Sequence, residues 1–227
     1  MRTRLPSDST KSAFTLIELL VVVAIIGIIG GFAVPAVGNL LKGSSMTQSA
    51  NLISDQTAAA RQYALTRNRS VEVRFYSFTD PEQPVDPSKP DPAQFRAFQY
   101  FEMGDGGIPN PIGKIVRLPD TIVMNSSNTL SSLLNVSTPT QPGANDPDLP
   151  RGVGKNYQYV AFRFLPDGST SLSPTGGPAN GKWFITVHLF SDLGRATGGT
   201  PPPNFFTWMI DPVSGAMKVL RPQAKAN

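Results

Sequence analysis

Phe14 to Val37 reads FTLIELLVVVAIIGIIGGFAVPAV, an apolar run of 24 residues with a single charge, Glu18. As an α-helix it would span roughly 36 Å, enough to cross a hydrocarbon core of about 30 Å. Arg2, Arg4 and Lys11 precede the run and only Lys42 follows closely. Lys and Arg gather on the cytoplasmic side of membrane helices, so the N-terminus is expected inside and the rest outside. A secretory signal peptide has a shorter apolar stretch, about 7–15 residues, that ends in a small-residue cleavage site. This run is longer and continues into a second helical stretch, Ser44 to Arg67. A plain anchor would leave Glu18 unexplained, because a carboxylate inside a membrane helix costs several kcal/mol and marks a function. Gly27, Gly30, Gly31, Pro35 and Gly38 weaken the helix locally. Two readings stay open for them: close helix packing, or a stretch that melts when the chain leaves the membrane.

Around the start of this run the string Ala13-Phe14-Thr15-Leu16-Ile17-Glu18-Leu19-Leu20 resembles the processing site of type IV prepilins and type II secretion pseudopilins. The resemblance implies cleavage between Ala13 and Phe14 by a prepilin peptidase, which also methylates the new amino group of Phe14. It further implies that Glu18, then the fifth residue, pairs during assembly with the terminal amine of a neighbouring subunit. A buried carboxylate is tolerable only when paired, and that amine would be its partner. Pro35 falls where the family often carries proline. One departure is Ala13, where the family usually has glycine before the cut.

Beyond the apolar run, Met46, Ala50, Ile53, Thr57, Ala60 and Ala64 recur at helical spacing, with Gln48, Asp55, Gln62 and Arg69 on the polar side. The stripe should seat the second half of the helix on a globular head. Val71–Tyr76 alternates as a strand, and further strand candidates are Phe95–Phe101, Lys114–Met124, Tyr157–Leu165, Lys182–Phe190, Phe205–Ile210 and Ala216–Arg221. Asp167-Gly168 and Asp211-Pro212-Val213-Ser214-Gly215 read as turns. Thr79–Pro92, 135–156 and 196–204 are rich in Pro, Gly or Thr and read as loops. The expected fold class is α+β: a long N-terminal α-helix, its first half membrane-embedded, packed on an antiparallel β-sheet head. The division is 1–13 as a cytoplasmic leader, 14–37 as the transmembrane and filament-core segment, 38–67 as the amphipathic half and 68–227 as the head. The string from Ala59 to Val71, the Phe162–Gly168 segment and the final hairpin resemble the FimT/GspH minor pilin group. An N-terminal pilin motif followed by a β head is also similar to the Verru_Chthon cassette protein D group.

Composition narrows the function classes. No cysteine is present, so disulfides, thiolate metal sites and thiol catalysis are excluded. His188 is the one histidine, which leaves little material for a Ser-His-Asp triad or a histidine metal site. A net charge of +4 is too small to argue for nucleic-acid binding. With 22 Pro and 20 Gly, an all-helical bundle is disfavoured. Asp105, Asp120, Asp146 and Asp148 lack the ligand spacing of a calcium loop and read as solvated loop acids. Asp105-Gly106-Gly107 is a turn, with no lysine-bearing helix after it to form a phosphate cradle. His188 reads as a surface or core-edge residue, and Lys218, Arg221 and Lys225 as a solvated basic tail. Three sequons, at Asn68, Asn125 and Asn135, are too common to carry weight.

These readings give a structural, minor subunit of a type IV pilus-like filament or a type II secretion pseudopilus. No enzyme, cofactor or metal is expected. The alternative is a pilus-tip binding module for DNA or another ligand. Expected partners are other pilin or pseudopilin subunits, the prepilin peptidase/methyltransferase and the inner membrane, with nucleic acid not expected. The location implied is single-pass in the inner membrane, N-terminus cytoplasmic and head periplasmic, with a periplasmic or cell-surface filament after assembly.

Overall fold

The structure, a computed structural model, describes residues 14–82, 93–135, 139–177, 180–196 and 199–221, and for 32–42 the backbone alone. Residues 1–13, read from the sequence as a leader ending in Ala13, the segment 83–92 of the Pro-rich stretch, and Lys225 lie outside the described residues. The chain divides into two compact units, Met1–Leu41 and Lys42–Asn227. Helix α1 (Leu16–Arg67, 52 residues) contributes to both.

In the first unit α1 is apolar on every side. Its large side chains from Leu16 to Ile29 are exposed, as is Phe14 before it, so no stripe is reserved for a core within this unit. A helix that is apolar all round is built for lipid or for the inside of an assembly.

In the second unit α1 changes character. Met46, Ala50, Ile53, Thr57, Ala60 and Ala64 are all buried, at the spacing the sequence predicts. Small residues at 50, 60 and 64 let the sheet lie close to the helix backbone. Thr57 is tolerated there because its hydroxyl turns back onto the Ile53 carbonyl at 2.5 Å. The helix stops at Asn68, whose φ of 52° is left-handed, and Arg69 N–H reaches back to the Ala64 carbonyl at 3.3 Å.

The rest of this unit is one antiparallel sheet. Its strands are β1 (Val71–Phe78), β2 (Gln94–Met103), β3 (Pro109–Pro111), β4 (Val116–Arg117), β5 (Ile122–Met124), β6 (Gln158–Phe164), β7 (Trp183–Leu189), β8 (Phe205–Ile210) and β9 (Met217–Leu220). The spatial order is β6-β1-β2-β5-β7-β8-β9, with β3 and β4 also paired to β2. The observed architecture is the α+β class expected from the sequence. The sheet curls about α1: Phe162 on β6 meets Trp208 on β8 with ring centroids 6.5 Å apart. Thr170, just after β6, donates its N–H to the Pro212 carbonyl after β8 at 3.0 Å.

Two readings need correction, and one strand lies where the sequence predicted none. The span Lys114–Met124 is two short strands, because Pro119 and Asp120 form a turn closed by Ile122 N–H on the Pro119 carbonyl at 2.8 Å. Strand β3 was unexpected, since its Pro-Asn-Pro sequence can pair only along a sheet margin, here beside β2. And β1, read as alternating, is buried at all eight positions. The reason is the segment 139–157, which folds over the outer face of β1, β2 and β6. Leu149, Val153 and Tyr157 from that segment join Tyr76, Phe78, Ala97 and Tyr159 in a second apolar cluster.

Candidate functional site

The N-terminal site is built around Glu18. Its carboxylate Oε2 accepts from the backbone N–H of Thr15 and from the Thr15 hydroxyl, both at 2.9 Å. The Thr15 hydroxyl oxygen in turn accepts from the Glu18 N–H at 3.3 Å. This reciprocal arrangement is a capping box: the N-cap threonine and the glutamate three residues on each satisfy a helix-end donor of the other. Negative charge in the first turn also complements the helix dipole. The Thr-x-x-Glu spacing before an apolar run was available in the sequence as a capping signal, and the role of Thr15 was missed there.

Around the carboxylate the surface is apolar. Phe14 is 82 % exposed and Ile17 69 %, and with Val21 and Val22 they line an open cleft beside Glu18. Among the described residues no helix is long and apolar enough to cross a membrane. The run read from the sequence extends over 32–37, where side chains are not described.

The remaining candidate residues lie in the second unit and do not gather into one site. His188 is fully buried, not at a surface or core edge. Its Nδ1 lies 2.8 Å from the Leu189 carbonyl and its Nε2 2.9 Å from Asn125 Nδ2. Those partners fit a neutral ring that donates through Nδ1 and accepts through Nε2. Burial pushes its pKa down, only partly offset by the Leu189 carbonyl. It is a satisfied core histidine.

Asp146 is not a solvated loop acid. It accepts from Arg74 Nη1 at 2.6 Å, with its side chain only 14% exposed. Arg74 also donates to Glu72 at 2.7 Å, and Arg163 Nε reaches the other Glu72 oxygen at 2.8 Å. The Arg74 guanidinium lies 4.3 Å from the Phe101 ring centroid and 4.5 Å from that of Tyr159. This network explains why Glu72 and Arg74 can be buried on a face the sequence marks as polar. Asp120 contacts Arg117 and Arg151, and Asp105 pairs with Arg69 at 2.6 Å. Among the described residues no three His, Asp or Glu side chains are placed to hold a metal ion. Lys218 lies on β9, and Arg221 just after it donates to the Thr47 hydroxyl at 3.3 Å.

Residues 8–34 match the family described as the prokaryotic N-terminal methylation motif. The fimbrial protein EcpC of Eikenella corrodens is 42% identical over 53 residues, which are 23% of this chain and 35% of that protein. The match thus spans about a third of the relative's length. Two solved structures of the minor pseudopilin EpsH, from the Type 2 Secretion System of Vibrio cholerae, are also similar. Their TM-scores are 0.42 and 0.41, at 9% and 11% identity, over 78% and 82% of this chain and 98% and 99% of theirs. Residues 8–34 thus carry a prepilin-type methylation motif, and the chain shares a stretch of 53 residues with a fimbrial protein.

Proposed function

We propose that this chain is a minor subunit of a type IV pilus-like filament or type II secretion pseudopilus. In this reading a prepilin peptidase cuts between Ala13 and Phe14 and the Phe14 amine is methylated. Residues 14–37 hold the chain in the inner membrane with the head outside, and later pack in the filament core. The observation that carries the proposal is a helix apolar around its circumference from Leu16 to Ile29, interrupted by one carboxylate at its first turn. Such a surface is costly in water, and such a carboxylate is costly in lipid unless a cation meets it. The methylated amine of a neighbouring subunit would supply that cation.

The test separates capping from charge. Glu18→Gln keeps a side-chain carbonyl to accept from Thr15 but removes the charge; Glu18→Ala removes both. Both variants should insert into the membrane normally and both should be lost from sheared filaments. Wild-type incorporation of Glu18→Gln would show that the charge has no part in assembly.

A further inference from the structure

An open sheet edge exposes a ladder of peptide donors and acceptors, and folded proteins usually block it. Nearly every open flank in this sheet is blocked. On β6, Tyr159 exchanges two hydrogen bonds with Thr140, both 2.9 Å. Farther along β6, the Arg163 carbonyl accepts from Ser171 N–H and the Arg163 N–H donates to the Ser171 hydroxyl, again at 2.9 Å. Along β7, beyond the reach of β5, the Ser131 and Ser132 hydroxyls accept from Thr186 and Phe184 N–H at 3.0 Å. The Phe184 carbonyl takes Leu133 N–H at 3.2 Å. The flank of β2 is covered by β3 and β4.

Strand β9 is treated differently. Asp211 N–H donates to the Ala216 carbonyl at 2.8 Å, which sets the phase of the β8–β9 ladder. Antiparallel pairs alternate, so Lys218 and Leu220 turn their peptide groups toward β8, and Met217 and Val219 turn theirs away. Among the described residues nothing pairs with those outward N–H and C=O groups. They face a groove of about 300 Å³ whose opposite wall is Ser54, Asp55 and Ala58 of α1, with Arg61 closing it at the Gly215 end. The Ser54 hydroxyl is buried there with no partner among the described residues.

We propose that this groove receives an extended strand from a partner protein, which adds to the sheet beside β9. Four peptide groups at strand spacing ask for another peptide backbone, and an apolar helix would leave them unpaired and dry. Residues of the incoming strand opposite Met217 and Val219 share their side of the sheet and face α1. That wall calls for a basic residue against Asp55 and a small one against Ala58. The residue opposite Lys218 lies on the outer face, where an acidic side chain fits. The inference rests on the Lys42–Asn227 unit alone and stands or falls separately from the filament reading.

The test is amide hydrogen exchange on the full chain in detergent micelles. The probe is a synthetic octapeptide whose one strand face alternates lysine with threonine and whose other face carries glutamate. Free protein should exchange Met217 and Val219 amides rapidly and Lys218 and Leu220 slowly. Peptide should slow Met217 and Val219 by roughly tenfold or more, and a backbone N-methylated peptide should not. Val219→Pro removes an N–H that β8 does not use, so it should keep the melting temperature and abolish the peptide effect. No added protection at millimolar peptide overturns the proposal. Protection already present in free protein also overturns it. If that protection rises with protein concentration the occupant is a second copy, and if it vanishes on removing 222–227 it is the chain's own tail.

Discussion

Arg61 of α1 donates through Nη2 to the carbonyl oxygen of Ser214 at 2.8 Å, joining the helix to a turn 153 residues later. Its Nε donates at 3.1 Å to the carbonyl of Gly168, in the turn after β6. One guanidinium therefore ties both ends of the curled sheet to the helix they enclose. Arg61→Ala should cost about 1–3 kcal/mol, the worth of charged hydrogen bonds to two carbonyls. Urea unfolding of the Lys42–Asn227 unit measures it.

Gly215→Ala tests the same junction from the other side. Gly215 has φ 65°, and a Cβ there would lie 2.1 Å from the Gly168 carbonyl oxygen. The added methyl must displace a turn held by Arg61, so destabilisation should exceed the roughly 1 kcal/mol of an ordinary glycine at positive φ. An unchanged melting temperature would show that the two turns are not in contact.

Acid should destabilise the head through His188. Its folded pKa is lowered by burial, so the unfolded chain binds the proton more readily. Stability is whole above the unfolded value of about 6.5 and is lost as pH falls through the folded one. His188→Asn should flatten the slope of stability against pH below about 6.5. An unchanged slope would assign the acid response to other groups.

Asp146→Ala should loosen the 139–157 cover by leaving Arg74 buried with only Glu72. The expected cost is about 1–3 kcal/mol, seen also as faster amide exchange at Leu149 and Val153. Equal exchange in both proteins would mean that the apolar anchors hold the cover unaided.

Much of the fold was legible because its signals are periodic. The stripe Met46–Ala64 is buried residue for residue, and β8 coincides with the Phe205–Ile210 reading. What was not legible depends on distant chain. Nothing local to Val71–Phe78 tells that residues 139–157 will cover its second face, so Glu72 and Arg74 read as solvent-facing. Asp146 and His188 were misplaced for the same reason: their partners, Arg74 and Asn125, are far away in sequence. Thr15 is the opposite case, a local signal that lay in plain view beside a more conspicuous motif.

The head should fold without the apolar segment. A chain beginning at Ser44 keeps the buried stripe and should be monomeric and β-rich, whereas one beginning beyond Arg67 loses a wall of the core and should aggregate. Size-exclusion chromatography with circular dichroism compares the two. Equal behaviour would show that the stripe contributes nothing to the head.

The most direct test is N-terminal mass spectrometry of the protein extracted from the membranes of the cells that make it naturally. The expected result is a chain that begins at Phe14 with a methylated amine. An intact Met1 start, or a cut beyond Val37, would contradict it.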